Sequence, residues 1–161
     1  LLALRHGQRL KRGREKALVA ETRLGGGLLV LAVPLTYMND SGLSVVALVR
    51  RYGIEDMTRL VIVHDELDLL LGRIQVKAGG GLAGHNGLRS IKAHLKTDAF
   101  TRVRIGIGKP PGGRDRGADH VLRAPSRRDR TELDVSIELA ADAVEIVVDD
   151  GVLGAQNRFN G

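Results

Sequence analysis

The sequence predicts an α/β fold: one domain, with a mixed twisted β-sheet flanked by helices on both faces. Three observations carry that expectation. Short apolar runs of strand length are interspersed with stretches of helical period. Polar, glycine-rich clusters follow the apolar runs. The length, 161 residues, is that of a single domain. A chain of this size buries roughly 70% of its unfolded surface and needs no covalent staple. Cysteine is absent, which excludes disulfides and thiolate metal sites and fits a reducing compartment.

In chain order, residues 1–12 read as the end of an amphipathic helix with Leu1, Leu4 and Gln8 on one side. The runs 17–21 and 28–33 flank Gly25-Gly26-Gly27 and predict a hairpin. Residues 41–52 place Leu43, Val46, Ala47 and Val49 at helical spacing, with Asp40 or Ser41 as cap and Gly53 as stop. The run 60–63 is a buried type of strand, and 73–76 alternates like a half-exposed one. A helix is expected over 86–95, presenting Leu88, Ile91 and Leu95. Residues 102–107 alternate as a strand, with Val103, Ile105 and Ile107 on one face and Arg102 and Arg104 on the other. Residues 110–117 form a loop rich in proline, glycine and charge. The last helix spans 131–148, burying Leu133, Ile137, Ala140, Ala141 and Val144. The longest apolar run, 27–34, is far too short to span a bilayer.

Lysine and arginine outnumber acidic residues 25 to 19, for a net charge of +6. That balance favours an anionic partner, whose counterions are released on binding; a free use of arginine by the genome would give it equally. Aromatic residues make up only 2% of the chain, so bases would find no stacking platform. A nucleic acid would be gripped by its phosphates and shape.

Three polar clusters follow predicted strands, where α/β sheets bind ligands. They are Thr36-Tyr37-Met38-Asn39-Asp40-Ser41-Gly42, His64-Asp65-Glu66-Leu67-Asp68, and the stretch from Gly79-Gly80-Gly81 to Gly84-His85-Asn86-Gly87. Residues 79–84 match the glycine pattern of dinucleotide folds, but Arg102 and Arg104 stand where a ribose-binding acid is expected. No Gly-Lys-Ser/Thr follows, so a P-loop fails as well. The acidic cluster has neither calcium-loop nor zinc spacing. Asp65 reads instead as a carboxylate that orients an imidazole. Glu66 and Asp68 read as turn or cap residues. Asn39 and Asn86 each offer a donor and an acceptor without charge. Facing one pocket, they would position a water and bond the carbonyls of a peptide ester. Asn86 would also stand at a helix start, where backbone N–H groups favour developing negative charge. Taken singly, each asparagine reads as a turn or cap residue. The pocket requires that the loops bearing Asn39, Asp65 and Asn86 converge.

In order, these clusters resemble the bacterial-type peptidyl-tRNA hydrolase family. The resemblance rests on Pro34-Leu35-Thr36-Tyr37-Met38-Asn39-Asp40-Ser41-Gly42, then Val63-His64-Asp65-Glu66-Leu67-Asp68-Leu69, then Gly79-Gly80-Gly81 with Gly84-His85-Asn86-Gly87-Leu88. Arg102-Val103-Arg104-Ile105-Gly106-Ile107-Gly108 completes it, with weak similarity on to Asn157-Arg158. It implies hydrolysis of the ester joining a peptide to the terminal ribose of tRNA. No metal or cofactor is implied, and the protein would be a cytoplasmic monomer with no membrane role. By position, Asn39 and Asn86 are similar to the family's peptide- and water-positioning asparagines. Tyr37, Met38 and His85 are similar to its substrate-binding residues, and Asp65 to the partner of its catalytic histidine. Lys77 and Arg104 are similar to a basic pair that clamps the 5′ phosphate of the acceptor stem, and residues 112–128 to a lid and basic rim.

Family members open with a strand, a Gly-Asn-Pro-Gly loop and an Arg-His-Asn segment that supplies the general base. This sequence contains none of them, and His6 aligns past the catalytic position. The expectation is an N-terminally truncated member. Without a base near neutral pKa, water activation loses typically about 10²–10⁴-fold in rate. The alternative is a relative that binds tRNA without cleaving it.

Overall fold

The computed structural model describes residues 1–82, 84–109 and 126–161. They fall into two units, Leu1–Leu60 with Ala78–Thr101, and Val61–Lys77 with Arg102–Gly161.

In the first unit, Gly25 and Gly26 both have positive φ, which a two-residue hairpin turn requires. The turn joins β2 (Ala17–Leu24) to β3 (Gly27–Pro34), paired antiparallel from Ala17 opposite Pro34 to Leu24 opposite Gly27. The expected hairpin is present, with longer strands. A short β1 (Lys11–Arg12) adds to the free side of β2. The expected helix over 1–12 is only α1 (Leu2–Arg5): Gly7, at φ 65°, turns the chain, and the Gln8 N–H closes back on the Ala3 carbonyl. Ala3 is buried there, while Leu1 and Leu4 are exposed.

Helices α2 (Ser41–Arg51) and α3 (Asn86–Leu95) lie where helical spacing places them. Leu88 and Ile91 of α3 are buried as expected. The buried side of α2, however, is Ser41, Gly42, Ser44 and Val45, while Leu43 is exposed. Close packing against α3 is the reason. A Cβ on Gly42 would stand 2.3 Å from the Ser90 carbonyl oxygen, and the Gly42 N–H donates to Ser90 Oγ at 2.9 Å. Arg51 at the end of α2 ties that helix to the hairpin, donating to Glu15 at 2.8 Å and lying 3.7 Å from Glu21.

Strands β4 (Val61–Glu66), β5 (Ile74–Ala78) and β6 (Thr101–Gly106), all but Ala78 and Thr101 in the second unit, form a sheet of order β4-β6-β5. The Thr101 N–H bonds Leu60 and the Ile107 N–H bonds Glu66, so β4 and β6 advance together and are parallel. The Gly106 N–H bonds Arg73 and the Gly79 N–H bonds Phe100, so β5 runs antiparallel to β6. The α/β class holds, and the strands divide into one antiparallel and one mixed sheet. Strand β4 runs on through His64-Asp65-Glu66 instead of ending before that cluster. Strand β6 is covered on both faces: Val103 is fully buried and Arg102 only 1% exposed, so this arginine does not lie on a solvated face. Helix α4 (Arg127–Phe159) opens on a Ser126 cap and is broken at Gly151 (φ 83°, ψ 175°). Its buried stripe includes Ala140, Ala141 and Val144, joined by Ser136, Ala143 and Val147; Leu133 and Ile137 are half-buried. The loop expected over 110–117, and the rim over 112–128 except its last residues, lie outside the described residues.

Candidate active site

The first unit carries both asparagines. The chain leaves β3, passes Tyr37 in extended conformation and makes one 3₁₀ turn (Met38–Asp40) into α2. Ser41 Oγ donates to the Met38 carbonyl at 2.8 Å and fixes that turn. Asn39 therefore stands exposed at the head of α2, between the exposed Tyr37 and Met38 and the helix itself.

Asn86 opens α3. His85 caps it: its Nδ1 accepts the Leu88 N–H at 3.2 Å, so this ring is neutral at Nδ1 and its proton resides on Nε2. Gly87 then meets the other loop, because a Cβ there would stand 2.7 Å from Met38 Sδ and 2.9 Å from His85 Cε1. Glycine is what lets the two loops touch. The helices behind them are joined by Gly42 and Ser90, so two rigid elements hold Asn39 and Asn86 on either side of one contact. Both amides are exposed and sit beside the N-termini of their helices. Tyr37, Met38, Asn39, His85 and Asn86 are thus brought together.

Asp65, Lys77 and Arg104 belong to the second unit. Asp65 lies half-buried in β4, and its carbonyl accepts the Nδ1–H of the buried His64 at 2.7 Å. The pairing of β5 with β6 sets Arg104 opposite Gln75 and Arg102 opposite Lys77, which puts all four on one sheet face. Arg104 is neither a free cation nor a solvated one. Its guanidinium lies 2.8 Å from the Glu66 carboxylate, with side chains 14% and 2% exposed, and donates to Gln75 Oε1 from the other side. Glu66 is therefore not a turn or cap residue but the buried counter-charge of Arg104. Asp68 is exposed, 3.8 Å from Lys109. Reasoning from sequence missed Glu66, Gln75 and the Gly42–Ser90 joint. Only Gln75 had a readable signal, two residues before Lys77 on the same strand face. Among the described residues no group of three His, Asp or Glu side chains is placed to hold a metal ion, and no helix is long and apolar enough to cross a membrane.

Comparison with known proteins decides the family. The model of the peptidyl-tRNA hydrolase family matches residues 1–161. The chain belongs to the peptidyl-tRNA hydrolase family. It is 52% identical over 160 residues to the peptidyl-tRNA hydrolase of Frankia casuarinae, spanning 99% of this chain and 80% of that one. With the peptidyl-tRNA hydrolase of Mycolicibacterium gilvum it shares 49% over 161 residues, spanning 99% and 83%. The crystal structure of peptidyl-tRNA hydrolase from Acinetobacter baumannii superposes at a TM-score of 0.90, with 38% identity over 99% of this chain and 81% of that one. The Asn39 and Asn86 loops lie within the stretch that the family model matches.

Proposed function

We propose that this chain hydrolyses the ester between a peptide and tRNA, with Asn39 and Asn86 as its substrate- and water-positioning residues. The observation that carries the proposal is the close approach of Met38 to Gly87, by which the loops bearing the two asparagines meet, within a chain of this family. About half identity along its whole length to hydrolases favours cleavage over the tRNA-binding alternative.

The chemistry follows from the groups. Water adds through oxygen to the ester carbonyl carbon, giving up a proton to a base of the kind the family's Arg-His-Asn segment supplies. The carbonyl oxygen becomes an oxyanion, then the bond to the ribose oxygen breaks and that oxygen takes a proton. Asn86 accepts a hydrogen from the attacking water. Its place at the head of α3 lets helix N–H groups favour the oxyanion. Asn39 binds the peptide's amide groups, with Tyr37 and Met38 as apolar wall and His85 Nε2–H as a further donor. Asp65 fits the role of a carboxylate that orients a basic imidazole. Lys77 and Arg104 would meet the acceptor-stem phosphate, where two cations measure tRNA geometry without reading bases. The same reading makes the protein a monomer working in the cytoplasm, where peptidyl-tRNA arises.

Asn39→Ala and Asn86→Ala test it, each made in a chain extended at its N-terminus by the family's Arg-His-Asn segment. Each should lower kcat/KM on N-acyl-aminoacyl-tRNA, Asn86→Ala by leaving the attacking water unheld and Asn39→Ala by loosening the peptide. Both amides are exposed, so melting temperatures should stay near that of the parent. Undiminished turnover in both variants rejects the site.

A further inference from the structure

We infer that Asn160, 84 residues along the chain from Val76, is a positioning residue that fixes the strand presenting Lys77 to phosphate; the inference rests on the phosphate-binding reading of Lys77. Strand β5 is the outer strand of its sheet among the described residues. The bonds at Arg73 and Gly79 turn the odd-numbered backbone groups of β5 toward β6. By alternation the N–H and C=O of Val76 point the other way, out from the sheet. Val76 is only 1% exposed, so these groups sit where water is scarce and an unmade hydrogen bond is expensive.

Asn160 supplies what another strand would. Its Oδ1 accepts the Val76 N–H at 2.8 Å, and its Nδ2 donates to the Val76 carbonyl at 2.8 Å. Gln156, one helical turn earlier on the same face, donates to that carbonyl at 3.4 Å. The Asn160 N–H itself bonds the Gln156 carbonyl, which orders the two side chains together. An amide of this length is specifically matched to the task. Aspartate lacks the donor, alanine lacks both groups, and glutamine carries an extra methylene.

Val76 lies between Gln75, which engages Arg104, and Lys77. Strand β5 is thus gripped on its inner side by β6 and on its outer side by the amide of Asn160, with Gln156 beside it. Loosening the outer grip lets the strand shift and spreads the Lys77 ammonium over more positions. A cation so spread binds phosphate less well, while a substrate with no phosphate is indifferent.

The test uses the chain extended at its N-terminus by the family's Arg-His-Asn segment and three variants of it, Asn160→Ala, Asn160→Asp and Lys77→Ala. Asn160→Ala should speed hydrogen exchange of the Val76 amide by about fivefold or more, the factor corresponding to one net hydrogen bond. It should raise KM for N-acyl-aminoacyl-tRNA several-fold with kcat unchanged, and leave cleavage of a small N-acyl-aminoacyl ester unaltered. Asn160→Asp, which keeps the acceptor, should fall between parent and alanine. In the Lys77→Ala background, Asn160→Ala should add no further rise in KM. An equal rise with and without Lys77 would mean general loosening and overturn the inference. So would faster exchange at Val76 with KM unmoved while Lys77→Ala raises it. If Lys77→Ala itself leaves KM unchanged, the phosphate reading of Lys77 is what fails, and the inference goes with it.

Discussion

Removing Arg104 takes away more than one positive charge. Its guanidinium lies 2.8 Å from the carboxylate of Glu66, which is 2% exposed, so Arg104→Ala would take a cation away from a buried carboxylate. Breaking such a pair from one side typically costs about 3–5 kcal/mol. Arg104→Ala should therefore lower the chemical-denaturation midpoint strongly, whereas the double replacement Arg104→Met with Glu66→Leu should recover much of the loss. Urea titration of the two proteins checks this, and equal midpoints would show that the pair is not coupled. The same geometry changes what Arg104 offers to phosphate: a guanidinium engaged by both Glu66 and Gln75, oriented but partly neutralised. At this scale the sequence was readable where a residue's role follows from its immediate neighbours. Asn86 before Gly87 could be placed at a helix start because apolar spacing begins there. Glu66 could not be paired with Arg104, because that ion pair depends on β4 lying beside β6, a register no local pattern encodes.

Helix α2 meets α3 at Gly42, and there an added methyl has nowhere to go. Its Cβ would stand 2.3 Å from the Ser90 carbonyl oxygen and 2.4 Å from His94 Nδ1, neither a contact that relaxes freely. Gly42→Ala should cost about 1–3 kcal/mol by overpacking and should separate the two helix heads. Loss of turnover should then exceed what thermal destabilisation alone predicts, measured as kcat well below the melting transition. Full activity in a folded Gly42→Ala protein would dissociate the joint from the site. Periodicity located α2 correctly but chose its apolar face as the buried one, since small residues that permit close approach carry no hydrophobic signal. The opposite end of α2 makes a prediction about acid. Arg51 donates to Glu15 and holds its carboxyl below the ordinary value of 4.5. A depressed carboxyl stabilises the fold fully above its unfolded pKa and loses that contribution as pH falls through the folded one. Melting temperature should therefore decline as pH drops below about 4.5, and decline less steeply in Glu15→Gln, as thermal scans from pH 6 to pH 3 would reveal. Identical slopes for the two proteins would exclude Glu15 as a source of acid sensitivity.

For the molecule as a whole, charge sets the range of its reach. A net charge of +6 concentrates an anionic substrate around the protein before any contact forms, and each phosphate neutralised releases counterions on binding. Fold class was legible at this scale because strand and helix periods alternate along the entire chain. The division into two sheets was not, because it depends on which strands bond across long separations, and short apolar runs look alike whichever neighbour they acquire. Composition indicated an anion and excluded a stacking platform, but did not say which cations are available to phosphate. The structure distinguishes them: Arg102 is 1% exposed and Arg104 is matched to Glu66, while Lys77 is half-exposed on the same sheet face. Lys77 is then the residue whose removal should register most cleanly in salt dependence. In Lys77→Ala the slope of log Kd for N-acyl-aminoacyl-tRNA against log salt should fall by about one, the signature of one lost phosphate contact. Hydrolysis of a small N-acyl-aminoacyl ester should keep its parental rate, since that substrate carries no phosphate to recognise. An unchanged slope would place the phosphate elsewhere on the basic surface, and a slowed small ester would mean that Lys77 serves the chemistry instead of the grip.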